Sequence, residues 1–238
     1  MKTILHPAKT RGQANHGWLQ SYHTFSFSAY FNPERMHFGA LRVLNDDTVA
    51  PGMGFGTHPH QNMEIISIPL EGDLEHKDSM DNTAVIRAGD VQVLSAGTGI
   101  THSEYNKNKD QQVKFLQIWI VPNQQDVSPR YDQITLNVAD RKNKLQQILS
   151  PSAKDEGVWI HQNAWFHQTQ LETGKELQYN LKEKEKNGVY VFVIDGSVTI
   201  NGQSLTRRDG FGIWEVESLH IKSNDTTELL LMEVPMEM

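Results

Sequence analysis

The sequence predicts an all-β chain folded as two similar β-barrels, and three observations carry that expectation. Helix-period segments are scarce. Short β-branched runs broken by Gly, Asn and Asp recur roughly every ten residues, the spacing of a barrel or sandwich. The second half also repeats the first: IPLEGDLEH and FVIDGSVTI share an apolar-apolar-acid-Gly shape, and each is followed downstream by a Gly-Asp or Asp-Gly turn. A repeat of this size implies two like domains. We place them at 1–140 and 141–238, joined in the polar, helix-permissive stretch around 132–155.

The elements follow in order. In GWLQSYHTFSFSAYF, Phe25 and Phe27 alternate with Ser26 and Ser28 as a half-buried strand does, NPER turns the chain, and Leu41 to Leu44 forms a short strand before NDD. The many aromatics of this preface suit a barrel core or the wall of a ligand cavity. MEIISIPLEGDLEHKDS reads as strand, turn at Glu71-Gly72, strand. TAVIRAGDVQVLSAG reads the same way about Ala88-Gly89, and VKFLQIWIV is a strand closed by Pro122, so the segment is expected to be a run of hairpins. In the second half the turns fall at Asp195-Gly196, Asn201-Gly202 and Asp209-Gly210. KEKEK, Lys182 to Lys186, alternates in sign and is expected to be solvated.

Composition narrows the chemistry. The 238 residues carry a formal charge of -7 and a pI near 5.9, which removes the usual electrostatic case for direct binding to nucleic acid. Mean hydropathy is -0.54, and no stretch approaches the ~20 apolar residues of a membrane helix. After its lysine, MKTILHPAKTRG has only Ile4 and Leu5 where a secretory signal needs about 7 to 15 apolar residues, so a cytoplasmic location is expected. The absence of cysteine excludes disulfides, thiolate ligands and a cysteine nucleophile, and leaves imidazole and carboxylate for any metal chemistry. Two fused barrels can bury against each other without a partner chain, so a monomer is expected.

FGTHPHQNMEII offers the first half of a site. Residues i and i+2 of a strand share a face, so His58 and His60 aim at one point across Pro59. Proline cannot donate to a sheet ladder, which puts this stretch at a barrel rim. In SAGTGITHSEYN, His102 and Glu104 again stand at i and i+2, after Gly97 and Gly99, which make the tight turn that delivers them inward. Three imidazoles and one carboxylate suit a first-row divalent ion and leave coordination positions open.

GTHPHxxME, EGxxEHxDSM and AGTGxxHSEYN, together with SYHTFSFSAYF, NPERMHFGALRVLNDD and QIWIVP, closely resemble the pirin family of the cupin superfamily, in particular its bacterial quercetin 2,3-dioxygenase-like members. The resemblance spans most of the chain. It implies a bicupin, that is, two double-stranded β-helix or jelly-roll-like domains. It also implies metal ligation by His58, His60, His102 and Glu104. Cupins in general take their carboxylate from the first motif, so Glu64 is a rival ligand. Glu104 is preferred because it shares a strand face with His102, and Glu64 then becomes a partner orienting an imidazole.

By the same resemblance the activity is a ring-cleaving dioxygenation of a flavonol, or another enolisable aromatic, by O2. Glu104 doubles as the general base, and the ion is one divalent transition metal: iron first, with Zn, Mn, Co, Ni or Cu also accepted by such ligands. Two alternatives stay open: a metal-containing pirin-type regulator that binds a protein partner, and another cupin chemistry on an unknown small molecule. The second barrel lacks the motif. LQYNLKEK has no histidine and His220 stands alone, so no metal is expected there. His161 and His167 read as surface or interdomain hydrogen-bonding groups, and Glu75-His76 as exposed hairpin residues.

Overall fold

The computed structural model describes residues 1–237. It contains strands and two single-turn 3-10 helices, Ala8–Thr10 and Val138–Arg141. No helix among the described residues is long and apolar enough to cross a membrane.

Each lobe is a seven-stranded sheet facing a four-stranded one. In the first lobe the large sheet centres on Glu64–Glu71, Val113–Ile120 and Leu41–Val49, and the small sheet runs Gly54–His60, Ile100–Asn106, Asp73–Asp78, Thr83–Arg87. In the second lobe Asn187–Asp195, Thr227–Pro235 and Trp165–Leu171 centre the large sheet, and Glu176–Asn180, Ser218–Ser223, Ser197–Ile200 and Gln203–Thr206 form the small one. The expected duplication is therefore present.

The two large sheets pack back to back. Ile66, Ile68, Leu116 and Ile118 of the first lobe share one core with Tyr190, Phe192, Leu230 and Met232 of the second. The run VYVFVI is buried on both faces: Tyr190, Phe192 and Ile194 enter this central core, and Val189, Val191 and Val193 fill the second barrel. Such a strand reads as a continuous apolar run because both its surfaces leave water. The contact between lobes is reinforced by Lys2–His6, which pairs antiparallel with Gly210–Trp214, so the N-terminal strand extends the second lobe's sheet.

Most of the expected hairpins are corners instead. Glu64–Glu71 and Asp73–Asp78 lie in different sheets, as do the strands flanking Ala88-Gly89, Asp195-Gly196 and Asp209-Gly210. Only Asn201-Gly202 closes a two-residue hairpin, pairing Ile200 with Gln203. Gly72 and Gly196, with φ of 76° and 80°, occupy matching corners where the chain leaves the large sheet for the small one, a turn that positive φ makes accessible to glycine. The dipeptides marked turns correctly, but a jelly-roll bends between sheets where a meander would pair neighbours.

Two other expectations change. The 132–155 region forms no α-helix: the end of the edge strand Arg130–Thr135, which pairs with Asp90–Ser95, is followed by the 3-10 turn Val138–Arg141, and Gln146–Ser150 pairs with Trp165–Leu171. The early strand is Leu19–His23, and Phe25 and Phe27 lie beyond its end. Leu41–Val49 runs on through Asn45, Asp46 and Asp47.

The Gly97 turn fixes the approach to the site. Its φ is 45°, its carbonyl accepts from the Asn62 amide at 2.9 Å, and Ala96 N donates to Met63 O at 2.9 Å, tying the turn before His102 to the loop after His60. A Cβ at Gly97 would lie 2.0 Å from the Val127 carbonyl oxygen. Gly97→Ala is expected to destabilise the fold by about 1–3 kcal/mol through the backbone conformation alone, with more from the clash, and to lower the urea midpoint at unchanged slope.

Candidate metal centre

The small sheet of the first lobe builds the site. Gly54–His60 is its edge strand, paired only with Ile100–Asn106, and Pro59 sits at an edge where its missing N–H costs no second ladder. His58 stands directly opposite His102 in the register, and an extra residue in the edge strand between His58 and Phe55 forms a bulge. Ile100–Asn106 alternates strictly, with Ile100, His102, Glu104 and Asn106 buried. These side chains therefore face the barrel interior.

Three imidazoles converge. One ring nitrogen from each of His58, His60 and His102 lies within 4.8 Å of the others, and the ring centroids are 4.5 to 4.9 Å apart. His58 Nδ1 is 2.8 Å from the Gly56 carbonyl in the bulge. A carbonyl only accepts, so that nitrogen carries the proton and Nε2 keeps its lone pair. His102 Nε2 is buried with no protein partner. Buried polar atoms are normally satisfied, and an orphaned imidazole nitrogen aimed at two others is what a metal ligand leaves behind when the protein is considered alone. The donor set fits a borderline divalent cation.

Electrostatics disfavour protonation of two of the three rings. Burial, then the neighbouring His102 and His58, lower the pKa of His60 to about 4, against a smaller opposing pull from Glu104. Burial, then His58 and His76, lower that of His102 to about 3. Neutral rings are the ones that ligate.

Glu104 is not within this triad of close nitrogens. Its buried carboxylate accepts from Ser67 Oγ at 3.0 Å and from Gln117 Nε2 at 2.7 Å, and it lines the same cavity as His58 and His60. That cavity, of about 410 Å³, is walled by Trp18, Phe27, Phe55 and Trp119 and floored by polar side chains including Asn45 and Asp47. Its volume falls in the range of small-molecule sites, about 300–1,000 Å³. Trp119 also meets His60 edge-on at 5.0 Å. The preface aromatics thus divide: Phe25 and Phe38 join the central core, and Phe27 lines the cavity. Burial raises the pKa of Asp47 to about 7, against its hydrogen bond from Ser21, with Asp46 and Glu104 adding to the rise.

The rival carboxylate points elsewhere. Glu64 accepts from Ser95 Oγ at 2.7 Å and orients no imidazole. Burial lifts its pKa to about 7, against Ser95 and Arg130. Asn106 is structural, donating to the carbonyls of Val49, Ala50 and Gln111. His161 packs on Trp159. His167 is buried rather than at the surface, against Tyr179 at 5.0 Å, because its strand is central to the second lobe's large sheet. His220 pairs with Glu176 on the exposed side.

His76 overturns its expectation. It is fully buried, its Nδ1 is 3.5 Å from His102 Nδ1, and its Nε2 is 3.0 Å from Asp78 Oδ2. Burial opposes the Asp78 charge, but hydrogen bonds from His76 and Asn82 outweigh it and hold the carboxyl below its usual range. The period of two in DLEHKD, with Leu74, His76 and Asp78 on one face, was the available signal. Ser67 and Gln117 gave none, each lying inside an otherwise apolar run.

The matching positions of the second lobe carry different side chains. Ser67 pairs with Gln117; five residues before the matching Gly196 corner stands Val191, which pairs with Leu231. Both enter an apolar core with Leu177, Tyr179, Leu219 and Ile221. The pair that clamps a carboxylate in one barrel is hydrocarbon in the other.

Family models place the chain. The Pirin model matches residues 5–120, and the model described as the quercetinase C-terminal cupin domain matches residues 147–234. Quercetin 2,3-dioxygenase of Escherichia coli K12 is 42% identical over 231 residues, 97% of this chain and 98% of that protein. The chain belongs to the pirin family. A pirin-like protein of Caulobacter vibrioides is 38% identical over 228 residues, 95% of this chain and 97% of its own length. The crystal structure of the E. coli bacterial pirin YhhW in complex with nickel(II) superposes with a TM-score of 0.92 at 40% identity, covering 98% of this chain and 99% of the other.

Glu64 provides a test of the electrostatics. Its folded pKa of about 7 exceeds the ordinary 4.5, so its contribution to stability is full below about pH 4.5 and is lost as pH rises through 7. Glu64→Gln is expected to gain stability relative to the parent between pH 4.5 and 8, measured by urea unfolding across pH, and to bind metal with unchanged stoichiometry.

Proposed function

We propose that this protein is a metal-dependent dioxygenase that cleaves a flavonol with O2, in the manner of quercetin 2,3-dioxygenase, with His58, His60, His102 and Glu104 holding one divalent ion. One observation carries the reading: three converging imidazoles, one with a buried ring nitrogen left unpaired, adjoin an aromatic-walled cavity that two of them line together with a clamped carboxylate. The full-length similarity to proteins named quercetin 2,3-dioxygenase supports it, as does the nickel(II) complex of YhhW. Iron remains the first expectation for the native ion, and the same ligands accept the other first-row divalents, nickel included.

When bound, the ion supplies Lewis acidity that lowers the pKa of a coordinated enol or phenol hydroxyl. The chain supplies the rest. Trp18, Phe27, Phe55 and Trp119 bind a planar aromatic by its faces and edges. Glu104 takes the hydroxyl proton, and Ser67 and Gln117, which donate to its two oxygens, keep it in a fixed orientation while it does so. The cavity walls exclude bulk water from the electron-rich ring that results.

Metal-replete protein given quercetin in an oxygen electrode is expected to consume O2 and release carbon monoxide. Glu104→Gln is expected to keep its metal and lose about 10²–10⁴-fold in turnover, and His58→Ala to lose the metal. Full turnover in metal-loaded Glu104→Gln excludes the base role. No O2 uptake by metal-loaded parent protein over a flavonol series excludes the activity and favours the regulator.

A further inference from the structure

The three imidazoles are not oriented alike. His58 is fixed by a backbone carbonyl, and His60 packs against the Trp119 indole. His102 meets an imidazole outside the triad, His76, which in turn meets Asp78. The three belong to neighbouring strands in register, His102 opposite Asp78 and Glu104 opposite His76. The His76 ring and the Asp78 side chain are completely enclosed. Tyr131 covers the outer face of His76, its ring centroid 4.9 Å away and its plane tilted by 36°.

The proton positions follow from the partners. Asp78 is itself anchored, accepting from Met80 N at 2.9 Å, Asn82 N at 3.1 Å and Asn82 Nδ2 at 2.9 Å. As a carboxylate it only accepts, so His76 Nε2 carries the proton facing it. Neutral His76 then has a lone pair on Nδ1, which accepts from His102 Nδ1–H at the long end of hydrogen-bond distance. His102 is left with its lone pair on Nε2, the nitrogen with no protein partner. The alternative assignment, with His76 donating to His102 Nδ1, would put the His102 proton on Nε2, between the rings, where it would block ligation.

We propose that Asp78 and His76 form a hydrogen-bonded relay that sets the tautomer and ring orientation of His102 for metal binding. This assignment rests on the metal-centre reading above. Asp78 and His76 are positioning residues, since neither reaches the space between the three ligand nitrogens. Partners of this kind raise ligand basicity and restrict ring rotation, and their loss typically costs 10–100-fold in metal affinity.

The test uses the full chain, stripped by chelator and titrated with cobalt(II) against a competing chelator at one fixed pH. His76→Phe, which keeps the aromatic volume but cannot accept, is expected to weaken cobalt binding 10- to 100-fold and to alter the visible d–d spectrum of the loaded protein. His76→Gln, whose side-chain oxygen can accept from His102 Nδ1–H, is expected to recover most of the affinity and a parent-like spectrum. A simple core-packing role predicts no such rescue.

Asp78→Asn, which retains the side-chain shape, is expected to fall between the two and decides the matter if His76→Phe does not fold. Unchanged affinity and spectrum in folded His76→Phe, or in Asp78→Asn where it stands in, overturn the relay while leaving the metal centre intact. Failure of the parent protein to bind cobalt overturns the metal centre and the relay together.

Discussion

The rest of the structure depends on one constraint: three imidazole nitrogens must be held close together, with their lone pairs directed inward and no proton between them. Such an arrangement is repulsive in the absence of a cation, and burial together with mutual proximity suppresses protonation of His60 and His102. The scaffold holds it through strand register. Placing His58 opposite His102 on an edge pair fixes two rings through backbone hydrogen bonds that no side-chain rotation can relax, and the adjacent bulge brings the Gly56 carbonyl to the ring of His58. Ligands on paired strands are held more firmly than ligands on loops, which is how catalytic geometry survives thermal motion.

The two lobes act as a built-in comparison. Their sheets have the same strand counts and their corner glycines match. What differs is the lining. In the second lobe the inward positions around Val191 and Leu231 are hydrocarbon, and the buried carboxylate there, Glu233, is taken up by Tyr179, Asn187 and the amides of Lys182 and Glu183. In the first the apolar material is split into two smaller clusters, one around Phe115 and Leu74 and one around Ile65 and Leu94, and the polar site occupies the space between them. The second lobe presses its large sheet against that of the first and supports it with a continuous apolar interface.

Much of this was legible in the residues. His-Pro-His and His-x-Glu declared their strand faces through the period of two, and the glycines before His102 declared the turn. Sheet topology was not legible, because Gly72 and Asn201-Gly202 present similar turn chemistry and only long-range pairing determines whether the chain folds back on its neighbour or crosses to the opposite sheet. Burial of single polar residues was equally hidden. His76 and Lys77 are adjacent in a polar string, yet one is sealed in the barrel and the other faces water. Ser67 and Gln117 are isolated polar positions in apolar strands whose purpose becomes visible only when Glu104, distant in sequence, is set between them.

The pairing of Lys2–His6 with Gly210–Trp214 bears on how the molecule is made. During synthesis Lys2–His6 must wait, unpaired, until Gly210–Trp214 has emerged, and their pairing closes a loop between residues far apart in sequence. Long-range pairings of this kind slow folding and leave strand edges uncovered in the interim. Cutting the gene between the lobes would make that exposure permanent, leaving Gly210–Trp214 as a bare sheet edge open to pairing with other chains. The lobes look like two modules, but they are stitched together by the strand Lys2–His6.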